Sequence, residues 1–516
     1  MKQRSCTYWL FHNKIDKEYP ILLLYIPKFS NVCKRWWSTA KTNIRPIKSL
    51  ANLFCYGVDK NLRSVQTSSS FPALEGVGQP TPETHPHLLA PGEIIPGITA
   101  TELKKRRQDL LKSLPNNSMA LFPAASEKFM SVDVPYPYRQ SSDLFYLSGL
   151  TQPNVVLLLD KTQISSNHNR YEEAEYLFVP RRDPFKETWD GASCGVEQAQ
   201  RFFGIAQADI LDNFSKFLSN RLKQSPQVYF DLSVNPSVNF LLRDLAESDI
   251  KALLSNRKHT CVELALQRLI KSPSEQHLML QSARILADSM TECMRMSYAG
   301  THESFLAARI EYECKKRGAE RMSFPPVVAS GSHSNTLHYL QNSDIANDGD
   351  LVLMDAGCEL HGYCSDVTRT WPVNGQFSKP QREVYELVLD VHNQCIDMVK
   401  NSHQRVTSLE AIHILASRWI YEGLEKLGII RKTDVSSNDI LGTFFPHAIG
   451  HYLGLDVHDT HILEKNLTLK PGMVITIEPG IRIEDDILVK EDGAMVLSEN
   501  VPKQATEIEL LMKERS

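Results

Sequence analysis

From residue 99 onward two hydrophobic rhythms alternate along the chain. "TELKKRRQDLLKSL" places its aliphatics at helical spacing, whereas "SMALFPAA", "NVVLLLD", "EYLFVP" and "QVYFDLS" are short, dense apolar runs of strand type. Residues 99–267 are therefore expected to form an α/β unit with its own core. Its most distinctive stretch, "FVPRRDPFKETWDG", reads as a charged surface loop. Upstream, residues 76–98 are rich in Pro, Gly, Thr and His and read as a linker or extended arm.

A second unit, 268–510, opens at "IKSPSEQHLML". Ser272 is placed to cap a helix, Pro273 suits its first position and Glu275 completes a capping box. Ala283, Leu286, Met290 and Met294 share one face of that helix. Another helix ends at Gly318, and strands follow in "LVLMDAG" and "CSDVTRTWPV". Two more helices are expected, one from Ser378 and Pro380 and one stopped by Gly428. The unit also repeats itself. "GDLVLMD" runs from Gly349 to Asp355 and "GMVITIE" from Gly472 to Glu478, while "LHYL" at His338 is echoed by "GHYL" at His451. Matches in the same order predict a duplicated, pseudo-symmetric fold.

Length and charge narrow the possibilities. A chain of 516 residues exceeds one compact domain, and 42% hydrophobic with 23% charged content is ordinary for a globular protein. Ile21 to Ile26, the longest apolar run near the start, is too short to span a membrane. Ten scattered cysteines without a CxxC pair argue against a disulfide framework or a thiolate zinc site, and for a reducing compartment. Residues 1–74 carry a net charge of about +9, which leaves about −13 for the remainder. So acidic a body is unsuited to nucleic acid. The basic, acid-poor segment 1–75, with "CKRWWSTAKTNIRPIKSLANLF", has the composition of a mitochondrial transit peptide; a plain basic tail is the alternative.

Candidate chemistry lies where acids interrupt apolar strands. "VITIEPGIRIEDDILV" (474–489) sets Glu478 and Glu484 among aliphatics, Asp355 ends "LVLMD", and Asp366 opens a β-branched strand. With His451 these groups would carry about −4 if they converged, which an interior does not tolerate without cations. Two divalent metals cancel that charge. Four carboxylates and one imidazole suit Mn²⁺ first, with Fe²⁺, Co²⁺ or Zn²⁺ as alternatives. Each residue alone has a plainer reading: a turn former, a solvated charge, a core histidine. The ordered set of five is the specific signal.

The motifs "SNTLHYL", "DAGCELHGYCSDVTRTWPVNG", "FFPHAIGHYLGLDVHD", "LKPGMVITIEPG" and "RIEDDILV" resemble the aminopeptidase P family of the pita-bread metallopeptidases. "FVPRRDPFKETWDG" and "RLIKSPSE" extend the likeness to roughly residues 85–510, and "GQPTPETHPHLLAPGE" is similar to the mitochondrial members. The resemblance implies an α/β (α+β) chain: a creatinase-like N-terminal domain, then a pseudo-symmetric pita-bread domain. It implies that Asp355 and Glu484 bridge two metals, that Asp366 binds one and that His451 with Glu478 binds the other. His338, His447 and His458 would line the site, and Arg482 would support it from behind. Peptides with proline second are the implied substrates, and a homodimer the implied assembly. A carboxylate such as Glu478 suits proton transfer in the hydrolysis.

Two alternatives remain at this point, since the intact set of five ligands speaks against a creatinase-like enzyme, which dispenses with metals. A prolidase-type dipeptidase shares the metal pattern, and a catalytically impaired or inactive pita-bread protein can act by binding alone. The last is kept open by a departure from the family pattern, since "EPGIRIEDD" joins Glu478 and Glu484 almost directly. On one straight strand the two would stand roughly 20 Å apart. A loop from Pro479 to Ile483 instead opposes them, with Gly480 taking φ > 0. Arg482 then falls in or beside the turn, which predicts weaker support from it.

Overall fold

Thr99 starts helix α1 (Ala100–Ser113), its hydroxyl accepting the Glu102 N–H at 3.2 Å. The computed structural model describes residues 76–514, with breaks at 163–171, 225, 231–244, 259–261, 403–406, 432–441 and 481. The basic segment 1–75 lies outside the described residues. Behind α1 stands a six-stranded mixed sheet: β1 (Ser118–Pro123), β2 (Val156–Lys161), β3 (Ala174–Val179), β4 (Gln207–Ile210), β5 (Gln227–Tyr229) and β6 (Arg257–Lys258). Its order is β4-β3-β2-β1-β5-β6. Leu157 and Leu159 enter one core while Val156 and Leu158 enter another. Burial on both faces is why these strands read as unbroken apolar runs.

Two stretches differ from expectation. The arm 76–98 is not a free linker: Val77, Leu89, Ile94, Ile95 and Ile98 are buried. Its apolar residues close a small hairpin, Glu93–Ile95 with Ile98–Thr99, against the first core. "FVPRRDPFKETWDG" is likewise no plain loop. Asp183 caps the helix Pro184–Asp190, and buried Glu187 accepts from both Arg182 Nε (2.8 Å) and Nη2 (2.9 Å). A bidentate pair accounts for charges that looked solvated.

The C-terminal half contains the repeat. Helices α2 (Pro273–Met296) and α3 (Glu303–Lys316) precede β7 (Val327–Ser330), β8 (Leu351–Ala356) and β9 (Val367–Pro372). Helices α4 (Lys379–Lys400) and α5 (Leu409–Lys426) precede β10 (Val474–Ile477), β11 (Asp485–Lys490) and β12 (Gly493–Val496). The Ser272–Glu275 capping box opens α2, and Ser378 with Gln381 forms its counterpart on α4. β8 lies between β7 and β9, and β10 lies between β11 and a bridge at Tyr452, all antiparallel. Gly349 and Gly472 lead into β8 and β10 with φ of 88° and 89°, the left-handed turn both copies need. The histidine echo does not extend this correspondence. His338 follows β7 on an exposed segment, whereas His451 precedes the Tyr452 bridge and is buried.

The N-terminal and C-terminal halves share a core. Leu103, Leu147 and Leu157 cluster with Leu278, Tyr363, Leu453 and Val474. No helix among the described residues is long and apolar enough to cross a membrane.

Candidate metal centre

Backbone pairing brings the acids together. Asp355, near the end of β8, lies opposite Thr368 of β9. Thr368 connects the two sheets, its carbonyl accepting the Glu484 N–H (3.0 Å) and its hydroxyl donating to Glu484 Oε2 (2.9 Å). Asp366 enters beside them, its N–H donating to Asp486 Oδ2 at 3.2 Å. From the second sheet, Thr476 N–H donates to the His451 carbonyl (2.9 Å) and Glu478 N–H to the Ile449 carbonyl (2.8 Å). Close backbone approach makes this possible. A Cβ on Gly357 would stand 2.0 Å from the Ser365 carbonyl oxygen, and one on Gly450 2.0 Å from that of Thr476.

The hairpin is the expected one. Ile477 pairs with Asp485, so the register continues to Glu478 facing Glu484, and Gly480 has φ 54°. Arg482 departs from expectation. Although it belongs to the turn, it is buried, with Nη1 3.0 Å from the Leu337 carbonyl and 3.3 Å from Asp355 Oδ2. Its long stem carries the guanidinium back to the acids, so the short connection keeps its support.

Asp366, His451 and Glu484 are buried and offer ligand atoms all within 4.8 Å of one another. His451 Nε2 stands 3.4 Å from Asp366 Oδ2 and 3.8 Å from Glu478 Oε1, too long for hydrogen bonds. His451 Nδ1 lies 3.2 Å from the Tyr452 carbonyl, which places the proton there and leaves the Nε2 lone pair facing the acids. Burial holds the His451 pKa below its usual value, against the opposing pull of Glu478, so the ring is a neutral donor.

The carboxylates are under electrostatic strain. Burial, then their neighbours' charge, pushes Asp366 and Glu484 well above the usual range. Burial also raises Asp355, opposed by Arg482, and raises Glu478 to about 7, opposed by His451. Asp355 Oδ1, Asp366 Oδ1 and Glu484 Oε1 are buried without a hydrogen-bond partner. Orphaned carboxyl oxygens facing a neutral imidazole form a donor set that divalent cations fit.

The histidines surround this cluster. His447 Nδ1 lies 2.9 Å from the Ala448 carbonyl and 3.7 Å from Glu478 Oε2. The exposed ring of His458 stands edge-on to His451, with centroids 4.5 Å apart. His338 is exposed and close enough to draw the Asp355 pKa down. Sequence reasoning passed over Thr368, Arg369, Asp485 and Asp486. Two further acids following Glu484 at the head of an aliphatic strand were the signal available for the last pair.

Metal-free protein should show a pH-dependent strain. Because the folded-state pKa of Glu478 is raised to about 7, its contribution to stability is fully present below the unfolded value of about 4.3 and is lost as pH rises through 7. The gain in Tm on adding Mn²⁺ should therefore grow between pH 5 and pH 8. A gain independent of pH, measured by thermal denaturation, would contradict this electrostatic account.

Comparison with known proteins agrees with this geometry. Residues 277–500 match metallopeptidase family M24, and residues 103–229 match the aminopeptidase P N-terminal domain. The chain is 37% identical to Xaa-Pro aminopeptidase 3 of Mus musculus over 469 residues, covering 85% of this chain and 91% of that protein. It is 38% identical over 472 residues to "Intermediate cleaving peptidase 55, mitochondrial" of Arabidopsis thaliana, covering 88% and 90%. Aminopeptidase P from E. coli, solved with the inhibitor Pro-Leu, superposes with a TM-score of 0.72 at 32% identity, covering 81% of this chain and 98% of that one. Two domains in this order, joined to an acid-rich site made for cations, place the chain in the aminopeptidase P family as a metallo-aminopeptidase.

Proposed function

We propose that this chain releases the N-terminal residue of peptides whose second residue is proline, with two divalent cations, Mn²⁺ foremost, held by Asp355, Asp366, His451, Glu478 and Glu484. The observation that carries the reading is the set of orphaned oxygens on Asp355, Asp366 and Glu484, beside a neutral His451. A bound metal pair supplies an acidified water and a polarised carbonyl. The chain's own residues do the rest. Glu478, with a carboxyl near neutrality, is placed to take the proton of the attacking water and pass it toward the leaving amine. His447, near Glu478, and His458, beside His451, hold the substrate and the developing charge. His338 approaches from the other sheet's side, and Arg482 keeps Asp355 oriented.

Relatives named for Xaa-Pro cleavage support this specificity. The test compares an Xaa-Pro-Yaa peptide with the Xaa-Pro dipeptide, in Mn²⁺ and in chelator. Metal-dependent cleavage of the longer peptide is expected; cleavage of the dipeptide alone would make the chain a prolidase-type enzyme. Mitochondrial import is proposed as well, on the basic composition of residues 1–75 and the mitochondrial relative. A fusion of residues 1–75 to a fluorescent reporter should localise to mitochondria, and a diffuse cytosolic signal would refute it.

A further inference from the structure

Around His458 the backbone is held in a shape it would not choose alone. Asp459 N–H donates to the Tyr452 carbonyl (2.9 Å), Leu463 N–H to the Thr460 carbonyl (2.9 Å), and Thr460 has φ 49°. A β-branched residue in the left-handed region persists only where its surroundings over-determine it. Those surroundings are charged and come largely from outside the loop.

Arg268, on the helix Val262–Leu269, is the centre. Its Nη2 donates to Asp459 Oδ1 (2.5 Å) and Asp456 Oδ2 (2.7 Å), and its Nη1 to Asp143 Oδ1 (2.6 Å). Lys271 Nζ takes the other Asp459 oxygen at 3.0 Å, with both side chains about 1% exposed. Asp456 is held a second time by the Ser142 hydroxyl (2.6 Å), and Arg139 Nη2 donates to the Leu455 carbonyl (2.5 Å). A Cβ on Gly454 would stand 2.5 Å from Asp459 Oδ2, so the glycine is what lets that carboxylate lie against the loop. Arg139, Ser142 and Asp143 belong to the N-terminal half. Asp456 and Asp459 flank His458 on either side in the chain.

We propose that Arg268 and Lys271, acting through Asp456 and Asp459, are positioning residues for His458, and that the N-terminal domain contributes to turnover through this clamp. The inference rests on the substrate-facing role given to His458 above. Fixing a group that meets the substrate in the transition state acts on kcat more than on KM. Both charges of the Lys271–Asp459 pair are buried, so the geometry is specified tightly, and removing one partner is felt throughout the loop.

The test uses the full-length, Mn²⁺-loaded enzyme. Asp456→Asn keeps the side chain's shape, and Arg268→Lys keeps the charge while losing the three-way fork. Each should lower kcat about tenfold or more with KM within threefold and metal content unchanged. In a His458→Ala background, Asp456→Asn should cause no further loss, because the clamp then has nothing to position. Kinetics like the wild type in both variants, or an equal loss in the His458→Ala background, would overturn the proposal. Hydrogen exchange gives a reading independent of activity: the amides of Asp459 and Leu463 should exchange faster in Asp456→Asn, and unchanged exchange also overturns the proposal. Absence of Xaa-Pro-Yaa cleavage by the wild type would instead count against the function itself, with the exchange result still deciding the clamp.

Discussion

Asp366→Asn is expected to lower Xaa-Pro-Yaa turnover by about 10³-fold or more while leaving the protein folded. Polarisation by a bound cation is worth several kcal/mol in the transition state, and about 4 kcal/mol is a thousandfold in rate. Asp366 is buried, with one oxygen 3.4 Å from His451 Nε2 and the other unpartnered. Burial and the neighbouring Asp355 push its carboxyl well above the usual range. The metal-free fold therefore disfavours the charged form of Asp366, and the carboxamide is close to an isostere of the protonated one. Metal-free Tm should match or exceed that of the wild type, whereas the Tm gain on adding Mn²⁺ should shrink. A variant with full turnover, or wild-type turnover that survives exhaustive chelation, would sink the metal mechanism.

What the sequence made legible follows the range of the interactions involved. Local devices were readable: the Ser272–Glu275 box, the Ser378 cap and the left-handed Gly480 each depend on neighbours within a few residues. In "CELHGYC", His361 (φ 50°) and Gly362 (φ 87°) form the two-residue turn of a hairpin between Asp355 and Asp366. The metal residues were legible for another reason: acids on apolar strands conflict with their surroundings, and the conflict itself is the signal. Long-range partnerships were not readable. Nothing local tells that residues 76–98 pack into a core, or that Arg482 reaches Asp355 across 127 positions. The same limit hid the role of Arg268: "RLIKSPSE" carried the family likeness and the approach to a helix, but nothing in it names Asp143, Asp456 or Asp459 as partners.

The second large effect is expected at Asp485, the acid next to Glu484. Asp485 and Arg369 are both 0% exposed and pair at 2.6 Å. The same oxygen accepts the Ser498 hydroxyl at 2.7 Å, and the other accepts Lys503 Nζ at 2.5 Å. Arg369 also donates to the Glu484 carbonyl (2.6 Å) and the Thr368 carbonyl (3.0 Å), so the pair braces the start of β11 where a metal ligand sits. Removing one partner from a buried pair costs about 3–5 kcal/mol, because the charge left behind is uncompensated. Asp485→Asn should lose stability of that size at pH 7 and bind Mn²⁺ about 10–100-fold more weakly. Burial alone would raise the Asp485 pKa, but Arg369, Lys503 and His392 hold it well below the usual range. A depressed carboxyl contributes stability present above the unfolded value of about 3.9 and lost as pH falls toward the folded one. The stability gap between wild type and Asp485→Asn, measured by chemical denaturation, should therefore narrow as pH drops below about 4. A gap that persists undiminished at pH 3 would mean that shape, rather than charge, is what Asp485 supplies to the strand carrying Glu484.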